Sequence, residues 1–467
     1  MRRLYLGLFG FAFLLLVTLG AGGWWLFAPT VSARPRLWDH GVTEFDVIVM
    51  GSEPEGIVAA VAAAQEGGAV LLMTPDTRVG GLFVKGEMNS LDLRREPELY
   101  QRGLFETWWQ RVGAGSAFDV QEAEAAFEAM LAEAGVTLYP GVTEMTPVIE
   151  DNQLVAIATA DTALRAHQFI DATADADIAA AAGVGYSLGF AAVGLEARMV
   201  DTLVFRIDNV DWPQLVQGIR SRNPGYAAVD ERAAWGHFGG YPASYQALEP
   251  GIRLRGLNLG LQNDGSVLVN ALMIDGIDPF DPVSREDGKA RAAREALRII
   301  DYLRKELPGF ERARFGGVAE RLYIRETRHI DALCSLTIDD VLDNRVTDLD
   351  VAAGGYPLDV HPLTPFDSGF VFGVPEIYGV QLCVTVPQAI DGLWVVGRSA
   401  GFDPTAASSA RVVPFGMALA EAVGVAAVKA LGSHQTPANF LRRDQNIHRP
   451  SGLRGHLRCG SRPGLPW

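Results

Sequence analysis

Cysteine is nearly missing from this chain, with three in 467 residues: Cys334, Cys383 and Cys459. They stand far apart and odd in number, so neither a disulfide framework nor a zinc site is expected. No other metal-ligating pattern is expected either. Positive charge is short as well. Lys and Arg total 40 against 56 Asp and Glu, a formal charge of −16, which argues against a basic face for nucleic acid. Charged residues make up only 21% of the chain against 48% hydrophobic, a globular balance that excludes wholesale disorder. Glycine and proline are not scarce, at 51 and 25, but they follow no fixed period, which excludes collagen-like repeats. Such glycines suit tight turns or a backbone lying close to a large ligand. The length suggests one large or two ordinary domains.

Charge is missing altogether from residues 4–33, and residues 4–28 are almost wholly apolar. A run of roughly 20 such residues spans hydrocarbon. Arg2 and Arg3 precede it, and Trp24 and Trp25 sit near its far end as interfacial aromatics would. The expectation is one N-terminal hydrophobic helix, a membrane anchor or signal segment over residues 1–33. Val31-Ser32-Ala33 could be read by a signal peptidase, and Arg2-Arg3-Leu4-Tyr5-Leu6 resembles a twin-arginine export signal. The protein is therefore expected to be membrane-anchored or exported, with the side of the membrane open.

After a polar linker at 34–44 comes Phe45-Asp46-Val47-Ile48-Val49-Met50, a short apolar run suited to a strand buried on both faces. Gly51-Ser52-Glu53-Pro54-Glu55-Gly56 breaks it. Residues 57–66 are Ala-rich and helical, Gly67-Gly68 stops them, and 69–73 read as a second buried strand. Strand, glycine turn, helix and strand within about 30 residues make a βαβ unit on a parallel sheet. Further on, 121–134 reads as a helix and 143–148 with 154–160 as a hairpin. Residues 168–171 read as a strand followed by a helix over 175–182. Residues 285–307 form an amphipathic surface helix, 393–396 a buried strand, and 415–430 an apolar helix. The stretch 434–467 reads as a poorly ordered tail.

The glycine turn carries the first chemical signal. A dinucleotide pyrophosphate wants backbone N–H donors at a helix N-terminus with no side chains in the way. Gly51 supplies the tight turn and Gly56 the close helix–strand packing, but the middle position of the fingerprint is Glu53. The acidic residue that commonly takes the ribose hydroxyls is replaced by Thr74, with Asp76 two residues on. Arg78-Val79-Gly80-Gly81 adds a glycine pair that lets a chain cross a pyrophosphate and ribityl at close range. Near the C-terminus, Phe415, Gly416 and Met417 open a helix whose N-terminal dipole would favour the negative charge of a reduced flavin.

At these residues the chain resembles the FAD-dependent oxidoreductases built like glutathione reductase, over roughly residues 45–431. Asp46-Val47-Ile48-Val49-Met50-Gly51 with Pro54 and Gly56 is similar to their opening strand and turn. Gly80-Gly81-Leu82-Phe83 through Asn89-Ser90-Leu91-Asp92 resembles their segment over the flavin. Phe169-Ile170-Asp171-Ala172-Thr173-Ala174-Asp175 is similar to their strand and turn near the ADP portion, with Ala174 replacing a usual glycine. Ile324-Arg325-Glu326-Thr327-Arg328 and Gly355-Tyr356-Pro357-Leu358-Asp359-Val360-His361 follow. Leu393-Trp394-Val395-Val396-Gly397-Arg398 and Ser409-Ala410-Arg411-Val412-Val413-Pro414 close the set, in family order.

The resemblance implies an α/β, Rossmann-like FAD/NAD(P)-binding fold with an inserted α+β substrate domain. Its parts are 45–184 and 321–432 for FAD and 185–320 for substrate, with a tail at 433–467. It implies non-covalent FAD held by Gly51, Glu53, Pro54, Gly56, Thr74, Arg78, Gly80, Gly81, Val142, Ala172, Thr173, Gly397, Arg398, Arg411, Gly416 and Met417. Candidates for acid–base or substrate-holding roles are His329, His361, Arg328 and Asp359. Ion pairs of Arg328 or Arg398 with Glu326 or Asp403 are the plainer reading of those arginines. The expected activity is oxidation or reduction of an unidentified small molecule by hydride or electron transfer at flavin N5, with the electron acceptor open. A non-catalytic flavin-binding module at the membrane is the alternative. A nicotinamide-only dehydrogenase leaves Gly80-Gly81 and the Phe415 helix without a purpose. FAD is made inside cells, so an exported flavoprotein would load it before crossing. If the twin-arginine route is used, Arg2→Lys with Arg3→Lys stops export.

Overall fold

The computed structural model describes residues 34–443 except 92, 94–98 and 223–224. The hydrophobic segment at 1–33 and the residues beyond 443 lie outside the described residues. Seven strands build the first sheet: β1 (Arg36–Leu37), β2 (Glu44–Met50), β3 (Val70–Thr74), β4 (Thr137–Pro140), β5 (Thr146–Glu150), β6 (Gln153–Ala158) and β7 (Ala163–Asp171). Their order is β1-β4-β3-β2-β7-β6-β5, and the strand Leu393–Val395 joins β7. The inner pairs β4–β3, β3–β2 and β2–β7 are parallel, and β5, β6 and β7 run antiparallel. This is a mixed α/β fold with a parallel sheet. From β2 the chain crosses to β3 on one side, while β7 lies on the other. That makes the carboxyl end of β2 a topological switch point, where open α/β sheets bind ligands.

The expected βαβ unit is present. Helix α1 (Pro54–Gln65) starts with Pro54 in its first turn, where a missing N–H costs nothing, and residues 54–63 are all buried. Helix α2 (Val120–Ala134) is capped by Asp119 and ends at Gly135 in the left-handed region. Helix α3 (Pro282–Glu306) replaces the expected 285–307 with nearly the same bounds, and α4 (Val413–Gly432) contains the expected 415–430. Helices α1 and α4 touch through small residues: a Cβ on Gly424 would collide with the Ala59 carbonyl. Helix α4 is long and apolar enough to cross a membrane, but most of it is buried inside this core.

A second, six-stranded antiparallel sheet lies between the parts of the first. Its order is Ala228–Val229, Ala233–Gly236, Ile252–Leu261, Val267–Ile274, Asp201–Asp208 and Arg314–Val318. Helix α3 buries Ala292, Ala296, Ile299, Ile300 and Leu303 in the apolar cluster of this sheet. Its outer face carries Arg291, Arg294 and Arg298 in ion pairs with Asp287, Glu249 and Glu295, as the amphipathic pattern predicts.

Two expectations are corrected. Cys334 and Cys383 form a disulfide across 49 residues, with Cα atoms 5.3 Å apart. Spacing along the chain hid it because the two cysteines meet only through tertiary packing. The stretch after 433 is not all tail: Pro437–Arg443 is helical because Phe440 is buried in the main core.

Candidate active site

The turn from β2 to α1 sits against the turn after β7. Gly51 has φ +105°, and a Cβ there would collide with the Ala172 carbonyl, so backbone lies on backbone. The Glu53 side chain reaches across to the glycine pair. Its Oε2 accepts from the Leu82 N–H at 2.8 Å, and its Oε1 pairs with Arg321. A Cβ on Gly81 would collide with this carboxylate.

Three cavities run in series from this turn. The first, about 490 Å³, is lined by Gly51, Glu53, Thr74, Asp76, Lys85, Thr173, Arg321 and Arg398. The third of the series, about 270 Å³, is lined by Tyr323, Arg325, Asp359, His361 and Arg411. Between them is a constriction of about 20 Å³. It shares Glu53 and Arg398 with the first and Tyr323, Arg325 and Arg411 with the last. At the near end Asp76 is clamped by Lys85 and by Arg321 at 3.0 Å, and Lys85 also meets Glu320 at 2.8 Å. The charge of Glu53, then that of Asp76, holds the Arg321 guanidinium above its ordinary pKa against the cost of burial.

Glu55 lies at the constriction beside α4. A Cβ on Gly416 would stand 2.5 Å from the Glu55 carboxylate, and Gly397 has φ +86° beside it. Burial, then the charge of Glu53, pushes the Glu55 pKa up to about 8. The folded protein thus holds a proton on Glu55 between about pH 4.5 and 8 that the unfolded chain releases. Stability from this group is therefore lost as pH rises through that window. Glu55→Gln is expected to melt increasingly above wild type from pH 5 to pH 8. Thermal melts across that range check it; parallel curves would show that Glu55 ionises normally.

The far cavity gathers a polar constellation. His361 Nδ1 accepts from Arg255 at 2.8 Å, and its Nε2 lies 3.0 Å from Asp359. Because Arg255 only donates, the imidazole carries its proton on Nε2, and that N–H donates a hydrogen bond to the Asp359 carboxylate. Burial, then the charge of Arg325, holds His361 well below its ordinary pKa. Burial opposes ionisation of Asp359, but the His361 hydrogen bond and the charges of Arg411 and Arg255 outweigh it and hold the carboxyl far down. His361 is neutral with both nitrogens engaged, a geometry that orients neighbours. Arg411 donates to the Tyr323 hydroxyl at 2.9 Å.

The other expected residues are placed as follows. Ala172, Thr173, Gly397 and Arg398 line the cavities with Gly51, Glu53 and Thr74. Gly56 packs on Gly51 and Ala172, and Gly80 lies on Phe127. Pro54, Val142 and Met417 are buried and line none of the three cavities. Arg78 is held by Glu124 at 2.6 Å. His329 is buried on the strand Arg328–Ile330, with Nε2 3.4 Å from Glu326, and lies outside these cavities. Arg328 pairs with Asp177 at 2.7 Å, and Arg398 with Asp175 at 2.6 Å, so neither meets Glu326 or Asp403 as the plainer reading supposed. Sequence reasoning missed Lys85, Arg255 and Arg321. The only signal for them was basic character at isolated positions, which nothing local distinguishes from a solvated surface.

These residues fit an FAD. The glycine turns bring backbone to the cleft, and Arg321, Lys85 and the Leu82 N–H converge where a diphosphate would lie. The Arg398 Nε is buried without a partner among the described residues. The Glu53 carboxylate stands on the path and uses donors that a diphosphate would use, so it has to give way. A cleft at a parallel-sheet switch point, leading through a constriction into a second polar cavity, is the architecture of a dinucleotide-binding protein. The sequence model of the FAD dependent oxidoreductase family matches residues 46–445. The chain belongs to that family: it is an FAD-dependent oxidoreductase with FAD as its cofactor. No curated protein matches it.

Solved structures similar to it include three flavoenzyme-like chains. A geranylgeranyl bacteriochlorophyll reductase-like protein from Thermoplasma acidophilum has 14% identity and TM-score 0.40, covering 86% of this chain and 82% of its own. The p-nitrophenol 4-monooxygenase of Pseudomonas putida has 11% identity and TM-score 0.44, covering 86% and 83%. A myxobacterial chondrochloren halogenase has 15% identity and TM-score 0.42, covering 85% and 78%. Likenesses at this level carry no argument about the substrate.

Proposed function

We propose that this oxidoreductase binds FAD along the three cavities and acts on a small molecule in the far one, at the second sheet. The observation that carries this reading is the continuity of the cavities from the Gly51 turn to Arg411 and His361. Bound FAD supplies a two-electron acceptor or donor at its N5. The chain's own groups do the rest. Arg321, Lys85 and the Leu82 N–H hold the diphosphate. Arg398 is kept in place by Asp175, and Arg255, His361 and Asp359 form a fixed hydrogen-bonded row facing the substrate. In this reading 45–184 and 321–432 build the flavin site and 185–320 is the substrate domain. The purified chain is expected to be yellow, with flavin absorbance that a reductant bleaches and an oxidant restores. Colourless protein that takes up no added FAD would end this reading; bound flavin that cannot be cycled would favour the non-catalytic module.

The chain acts outside the reducing cytoplasm, tethered or exported through its N-terminal segment. The Cys334–Cys383 disulfide supports this, because such bonds persist in oxidising compartments. Protein isolated from its native cells and unfolded without reductant is expected to offer one thiol, Cys459, to an alkylating reagent. Three reactive thiols would place the protein in the cytoplasm.

A further inference from the structure

The far cavity holds a buried arginine that no acid answers among the described residues. Arg255 and Arg325 line it, and Asp359 is the only carboxylate that the described residues bring to it. His361 adds no charge. Arg325 is only 4% exposed, yet makes no ion pair among the described residues. Its Nη1 donates to the Val200 carbonyl and to Thr202 Oγ1, each at 2.7 Å, its face lies over Tyr323 at 4.6 Å, and its Nε has no partner. A buried charge without a counter-charge is strongly unfavourable, and here it persists inside a chain whose formal charge is −16. An anion entering the cavity would supply the missing partner.

The second sheet adds the recognition surface. Asn258 and Asn270 face each other across adjacent strands and line the cavity with Arg255. Trp235 and Tyr356 offer flat apolar walls. Arg255 belongs to this far cavity and does not line the constriction, so its charge is directed at what enters there rather than at the diphosphate. We propose that the substrate is a small organic carboxylate with a flat, uncharged body. Its carboxylate is taken by Arg255 and Arg325, and its body lies between Trp235 and Tyr356 within reach of the two asparagine amides. This rests on the reading of the far cavity as the substrate site.

The test uses the full purified chain, whose flavin absorbance is recorded first. Matched pairs are then titrated by calorimetry and by flavin difference spectra: benzoate with benzamide, phenylacetate with phenylacetamide, and cinnamate with cinnamamide. At least one acid is expected to bind, its amide at least about tenfold more weakly. Arg255→Gln is expected to erase that preference while retaining flavin, and Arg255→Lys to restore part of it. Failure of every acid to bind, equal binding of acids and amides, or acid binding unchanged in Arg255→Gln would each overturn the proposal. Missing flavin absorbance would instead count against the FAD assignment, and calorimetry would still report on the cavity.

Discussion

Arg321→Ala is expected to weaken FAD binding by about 100-fold or more, on the order of 3 kcal/mol. Arg321 neutralises Glu53 and Asp76 together, and it is separated from Glu53 by 268 positions in sequence. Without it, Glu53 loses its cation, and an incoming diphosphate meets a cavity whose Lys85 and Arg398 are already paired to Asp76, Glu320 and Asp175. Glu53→Thr is expected to act in the opposite direction, tightening FAD by roughly tenfold. It removes like charge from the path and frees both Arg321 and the Leu82 N–H. Flavin fluorescence quenching on stripped protein measures both variants. Riboflavin, which lacks the diphosphate, should bind each of them as it binds wild type. An Arg321→Ala protein with wild-type FAD affinity would mean that this arginine stays on its carboxylates and never meets the cofactor.

Gly51→Ala is expected to cost at least about 3 kcal/mol of stability, enough to remove most of a marginal fold. The new Cβ would collide with backbone atoms of Ala172 and Thr173, and Gly51 already sits at φ +105°. Backbone cannot yield as a side chain can. Gly67→Ala provides the contrast. Gly67 has φ +95°, but nothing lies within 4 Å of where its methyl group would stand, so only the conformational cost of about 1–2 kcal/mol applies. Urea unfolding of both variants separates collision from conformation. Equal losses would show that the β2–α1 turn has room to move.

The βαβ unit was readable because it is local. β2 and β3 are apolar on both faces, α1 is built of alanine, and Gly51 and Gly67 mark the stops. Helix α4 was readable for the same reason, and so was the hairpin, though its strands begin at Thr146 and Gln153. Asp359 and His361 were singled out together from one short block, and they do meet in the far cavity. What local pattern missed was partnership. The plainer reading of Arg328 and Arg398 put them beside Glu326 or Asp403, yet their acids are Asp177, which opens the helix after β7, and Asp175 on the turn before it. His329 and His361 looked alike in sequence, but only His361 reaches a cavity.

By itself the sequence determined the parallel-sheet core, the glycine turns that bring backbone to a dinucleotide, and the order of the blocks that carry the family. Those depend on short-range sterics and on periodic burial, which a few neighbouring residues express. Tertiary structure alone decided that Arg321 answers Glu53, that Cys334 meets Cys383, and that Arg325 is buried at the far cavity with no acid paired to it among the described residues. Charge pairing and burial are set by which distant segments come within a few ångströms, and that distance is written in the packed fold.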